Sequence, residues 1–177
     1  MNSLLKRVNL YLVAMPGAGK SLVGRKLAPI LGYRFIDTDE VIEQVAKKSI
    51  KELIAEKGEA AFRDLESQVL AKVCAYTNLV IATGGGIILR QQNWSYMHHG
   101  LVVWLDVPVE LLYARLASDT TRPLLEGDDR LGTLQRLFEQ RQPLYAQADL
   151  RVMVASDEET PEQLAKLVLE KIPTVLK

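Results

Sequence analysis

Short apolar runs alternate along this chain with stretches in which apolar residues recur at helical spacing. Residues 8–13 read as a buried strand and 23–31 as a helix. A short strand at 33–36 leads to Asp37 and a helix at about 40–46. Residues 49–57 form a further helix, capped by Ser49 with Glu52 completing a capping box and Gly58 ending it. A longer helix, about 60–75, carries Phe62, Val69 and Val73 on one face. Strand 79–82 runs into Gly84-Gly85-Gly86. Strand 101–105 is followed by Pro108, which suits the first turn of a helix reaching about 117. A polar stretch, 118–128, separates this from a helix at about 130–146. A strand at 150–154 and a helix opened by Pro161 complete the chain. Five apolar strands separated by helices predict an α/β fold, a parallel sheet covered on both faces. Residues 1–177 are expected to form a single domain.

In such sheets ligands bind beyond the carboxyl ends of the strands. The turn after the first strand is Pro16-Gly17-Ala18-Gly19-Lys20-Ser21-Leu22. A strand, a glycine-rich turn ending in Gly-Lys-Ser and a helix form a phosphate-binding loop. Gly17 and Gly19 let backbone N–H groups turn inward around an oligophosphate. Lys20 can reach the outer phosphates, and Ser21 offers a hydroxyl to Mg²⁺. The usual pattern has glycine at the position held by Ala14.

Asp37-Thr38-Asp39 follows the second strand on the same rim. If extended geometry continues, both carboxylates face one way. One would then help hold Mg²⁺, and the other would accept a hydrogen bond from an alcohol and orient it. Asp37 as a helix N-cap is the competing reading. The glycine triplet after the third strand reads as a place where a ligand or another backbone comes close. Arg141 continues the stripe of Leu131, Leu134, Phe138 and Tyr145, so it aims inward and needs an acceptor, either an internal carboxylate or a bound anion. Arg63 reads by itself as a surface arginine. Arg115 reads as charge compensation at a helix end. Arg122, in the polar stretch, suits a lid that brings a cation over a transferred phosphoryl group.

Bulk properties narrow the class only slightly. The 22 basic and 22 acidic residues cancel, leaving no global field to draw nucleic acid or a membrane surface. No apolar run is long enough to span a bilayer. The opening residues carry no secretory signal, and Cys74, the single cysteine, reads as a small core hydrophobe. A cytoplasmic protein is expected.

Six segments together resemble the shikimate kinase family: Gly17-Ala18-Gly19-Lys20-Ser21, Phe35-Ile36-Asp37-Thr38-Asp39, Gly58-Glu59-Ala60-Ala61-Phe62-Arg63, Thr83-Gly84-Gly85-Gly86, Arg122-Pro123-Leu124-Leu125 and Arg141-Gln142-Pro143-Leu144-Tyr145. The resemblance implies ATP-dependent phosphorylation of the 3-hydroxyl of shikimate by a monomer. The implied architecture is the three-layer P-loop fold of nucleoside monophosphate kinases, with sheet order 2-3-1-4-5. A substrate-binding region is implied at about 38–66 and a lid at about 117–128. It also implies that Asp39 meets the ring hydroxyls, that Arg63 and Arg141 bind the carboxylate, and that the Gly84, Gly85 and Gly86 backbone closes on the ring. ATP would lie on Gly17 to Leu22, with Arg115 beside adenine and Arg122 on the phosphates. Ser21 and Asp37 would serve Mg²⁺. Ala82 stands where many members carry a serine that supports the metal's water shell; water or Thr83 would have to take its place. Another small-metabolite kinase, such as a gluconate kinase, and a non-catalytic relative that binds a partner remain the alternatives.

Overall fold

The computed structural model describes residues 4–117 and 129–176. It holds one five-stranded parallel sheet: β1 (Leu10–Val13), β2 (Arg34–Asp37), β3 (Leu79–Ala82), β4 (Leu101–Asp106) and β5 (Leu150–Met153). Their spatial order is β2-β3-β1-β4-β5. The register is continuous, with Leu12 opposite both Ala82 and Val103, and Asp37 opposite Ala82 across the next pair. Every residue of β1, β3 and β4 is buried, which requires cover on both faces. Only the two edge strands alternate or open, with Arg151 and Met153 exposed on β5.

Among the described residues eight helices supply that cover: α1 (Lys20–Leu31), α2 (Thr38–Ala46), α3 (Ile50–Lys57), α4 (Glu59–Val73), α5 (Gln91–Met97), α6 (Val109–Leu116), α7 (Arg130–Tyr145) and α8 (Pro161–Lys171). Local chemistry sets their ends. Ser49 and Glu52 form the capping box of α3, and Thr160 with Gln163 forms another for α8. α1 packs against α8, and α4 packs against α2 and α3. None of the helices among the described residues is long and apolar enough to cross a membrane.

Three readings need correction. Pro108 is the N-cap of α6 rather than a first-turn residue. Leu131 lies off the buried stripe of α7 and is exposed, while Leu134 and Tyr145 are buried. Strand geometry does not continue through Asp37-Thr38-Asp39: Asp37 closes β2 and caps α2, and Asp39 lies in the first helical turn.

Candidate active site

The loop between β1 and α1 owes its shape to two glycines in the left-handed region, Gly17 at φ 83° and Gly19 at φ 90°. Gly19 is the N-cap of α1, so the open N–H groups of the helix face the same hollow. Ala14 is accommodated: it is buried in the core, and its carbonyl accepts from Lys20 Nζ at 2.9 Å. The loop opens on a cleft of about 280 Å³ lined by Gly17, Ala18, Gly19, Lys20, Ser21, Leu22, Asp37, Asp39, Thr83 and Gly85. The sheet order therefore brings the ends of β1, β2 and β3 to one hollow.

Asp37 does two things at once. Its Oδ1 accepts from the backbone N–H of Asp39 at 2.9 Å and of Glu40 at 3.3 Å, the helix-capping role. Its Oδ2 accepts from Ser21 Oγ at 2.5 Å. Capping and site chemistry are thus compatible in one carboxylate. Among the described residues no group of three or more His, Cys, Asp or Glu could hold a metal ion. The Ser21–Asp37 pair supplies hard oxygen donors of the kind Mg²⁺ takes alongside phosphate oxygens and water, so these residues fit that ion. Thr83 Oγ1 donates to Leu12 O at 2.8 Å, which commits its proton and leaves its oxygen on the cleft.

Thr38, between the two aspartates, is fully buried and accepts from the Gly84 N–H at 3.1 Å. It pins the glycine loop to the start of α2. The three glycines lie where side chains have no room. A Cβ on Gly84 would come within 2.6 Å of Asp39 Oδ1 and 2.8 Å of Glu66 Oε2, and one on Gly86 would overlap the Arg63 guanidinium.

Arg63 is no surface residue. Its side chain is 12% exposed and pairs with Glu66 at 2.9 Å, with a longer contact to Glu59 at 3.4 Å. Arg141 is 5% exposed, with Nη1 donating to the Gly85 carbonyl at 3.0 Å. Both arginines have a buried Nε without a hydrogen-bond partner among the described residues. Two buried guanidinium groups thus flank one glycine loop with donors to spare, a costly arrangement unless an anion joins them.

Glu66 was not anticipated. It is wholly buried, and burial is the main force raising its carboxyl above the usual 4.5. Arg63 opposes the rise and nearby Asp39 adds to it. Its signal was in the sequence: Phe62, Glu66, Val69 and Val73 share one helical face, which places Glu66 on the apolar side.

Arg115 reaches the phosphate loop from α6. It pairs with Asp157 at 2.7 Å and donates to the Gly17 and Ala18 carbonyls, both at 3.3 Å. Arg122 and the lid expected at about 117–128 lie outside the described residues, Ala117 apart.

This fold and this cleft define a P-loop protein, with a glycine-rich cradle after β1 beside a second glycine loop flanked by two arginines. The shikimate kinase family model matches residues 16–173. The chain is 65% identical over 177 residues to the shikimate kinase of Nostoc sp. (strain PCC 7120), covering all of this chain and 97% of that one. It is 60% identical over 177 residues to that of Nostoc punctiforme, with the same coverage. The structure of the Acinetobacter baumannii shikimate kinase in complex with shikimate superposes with a TM-score of 0.91 at 36% identity, covering 97% of this chain and 96% of that one. The Aquifex aeolicus enzyme gives 0.81 at 34% identity, with coverage of 94% and 96%. The chain belongs to the shikimate kinase family, a family of phosphotransferases.

Proposed function

We propose that this protein transfers a phosphoryl group from ATP to the 3-hydroxyl of shikimate. The observation that carries this reading is the pair of arginines, Arg63 and Arg141, each with a buried Nε that has no partner among the described residues, beside the Gly84-Gly85-Gly86 loop. A planar carboxylate matches the guanidinium fork, and two forks orient a small acid in one way.

The cleft residues divide the remaining work. Gly17, Ala18, Gly19, Ser21 and Leu22 would hold the nucleotide phosphates, with Arg115 beside the base. When bound, ATP would supply the phosphoryl group, and Mg²⁺, on Ser21 and Asp37, would neutralise charge on the outer phosphates. Lys20 carries a fixed positive charge at the mouth of the helix. Asp39 accepts a hydrogen bond from the acceptor hydroxyl and so turns an oxygen lone pair toward the loop. Phosphoryl transfer asks mainly for such positioning, because the attacking oxygen needs little activation. The glycine loop, held by Thr38, closes on the ring where any side chain would collide. Arg122, in the polar stretch expected to form a lid, adds a second cation.

A coupled assay of ADP release with shikimate, quinate and gluconate as acceptors tests the reading. Turnover should be strong with shikimate and weak with the other two. Preference for gluconate would favour a related sugar-acid kinase, and fast ADP release with no acceptor would favour a general NTPase.

A further inference from the structure

Tyr145 lies one helical turn beyond Arg141 on the same face of α7 and is completely buried. Its hydroxyl donates to the Gly85 carbonyl at 3.3 Å, the same oxygen that accepts Arg141 Nη1 at 3.0 Å. Tyr145 and Arg141 therefore converge, from one face of α7, on the carbonyl of a residue that lines the cleft.

The ring beneath that hydroxyl is itself fixed. It stacks on Trp104 of β4 with centroids 5.6 Å apart and planes 14° from parallel. The Arg151 guanidinium sits 4.7 Å over the far ring of the pair, and Arg151 is tied in turn to Asp106. The stack connects the sheet edge to a single oxygen in the pocket. A phenylalanine would fill the same space, so packing alone does not account for the hydroxyl.

We infer that Tyr145 is a positioning residue for acceptor recognition: its hydroxyl holds the Gly85 carbonyl and the Arg141 guanidinium in the relative orientation that presents Arg141 to a carboxylate. The inference rests on the reading that Arg141 binds the acceptor's carboxylate. Without the hydroxyl, Arg141 keeps its charge and its contact to Gly85, but the carbonyl it donates to loses its second donor and is held less firmly. The effect should fall on carboxylate recognition and leave phosphoryl transfer and nucleotide binding alone.

The test measures kcat and KM for shikimate and for its methyl ester in the wild type, Tyr145→Phe, Arg141→Lys and the double variant. The wild type should prefer the free acid strongly. Loss of one neutral hydrogen bond predicts a loss of about five- to tenfold in kcat/KM for shikimate in Tyr145→Phe, carried by KM. Its KM for ATP and its activity on the ester should stay within about twofold of wild type. Because the two side chains act on one carboxylate, the double variant should be no more than about twofold worse than Arg141→Lys. Trp104→Phe, which keeps the phenol but shortens the plane under it, should erode the same preference to a lesser degree. Equal losses on acid and ester, an unchanged KM for shikimate, or losses that multiply in the double variant would each overturn the role of Tyr145 while leaving Arg141 as the carboxylate ligand. A wild type that does not distinguish acid from ester would overturn the carboxylate reading itself.

Discussion

Two clusters of buried polar groups at opposite ends of the central sheet are completed in different ways. At the amino end, the Asn9 side chain accepts from the Leu79 N–H at 3.0 Å and donates to the Tyr76 carbonyl at 2.8 Å. The Tyr11 hydroxyl donates to Cys74 Sγ at 3.0 Å and accepts a longer contact from Asn9. These groups satisfy one another, and the cluster closes on itself. At the carboxyl end, Arg63 Nε, Glu66 Oε2 and Arg141 Nε are buried and lack partners among the described residues. A fold tolerates such groups where a ligand completes them. One end stabilises the protein, and the other reserves its hydrogen-bonding capacity for something that binds.

Breaking the carboxyl end should abolish activity and spare the fold. Lys20 sits in the loop cleft, outside the hydrophobic core. Lys20→Met should lower kcat by about 10²-fold or more while the melting temperature changes little. Turnover within about tenfold of wild type would remove Lys20 from the phosphate site.

Breaking the amino end should do the reverse. Asn9→Ala leaves the Leu79 N–H buried without the Asn9 partner, at a cost of about 1–3 kcal/mol. In a chain of this size that corresponds to a fall of several degrees in melting temperature, roughly 2–4 °C per kcal/mol. KM values for both substrates should be unchanged. An altered KM for shikimate would show that the two ends are coupled.

A smaller effect sharpens the contrast through pH. Burial holds the Glu66 carboxyl above its usual 4.5, so the folded protein keeps this proton to a higher pH than the unfolded chain does. In the window from about 4.5 up to the raised value the folded state binds more protons, and stability falls as pH rises. Glu66→Gln removes that slope. The melting temperature of the variant relative to wild type should therefore rise between about pH 4 and pH 7. A difference independent of pH would mean that Glu66 is ionised throughout, compensated by Arg63.

Much of the fold was legible because alternation of apolar strands and periodic helices survives without tertiary information. The order β2-β3-β1-β4-β5 came from the family resemblance and is observed. α5 was missed, since Gln91-Gln92-Asn93-Trp94-Ser95-Tyr96-Met97 is too polar and too short to show a period; only Asn93, Trp94 and Met97 turn inward. The phosphate loop could be read because its function depends on backbone freedom, which glycine records directly. Residues that act through burial were harder to see. Arg63 looked like a surface residue until α4 turned it under the glycine loop, and Thr38 attracted no notice although it pins Gly84. Asp37 showed that two competing readings can both hold, because one oxygen caps α2 while the other meets Ser21.

The most direct test of the account combines a melting curve with a shikimate titration of Arg141→Lys. The substitution keeps the charge and loses the fork. If the carboxyl end reserves its donors for a carboxylate, shikimate should bind about tenfold more weakly, or about 1–2 kcal/mol, with ATP affinity and melting temperature close to wild type. A fall in melting temperature with shikimate affinity intact would contradict the account, because Arg141 would then be serving the fold in the way Asn9 does.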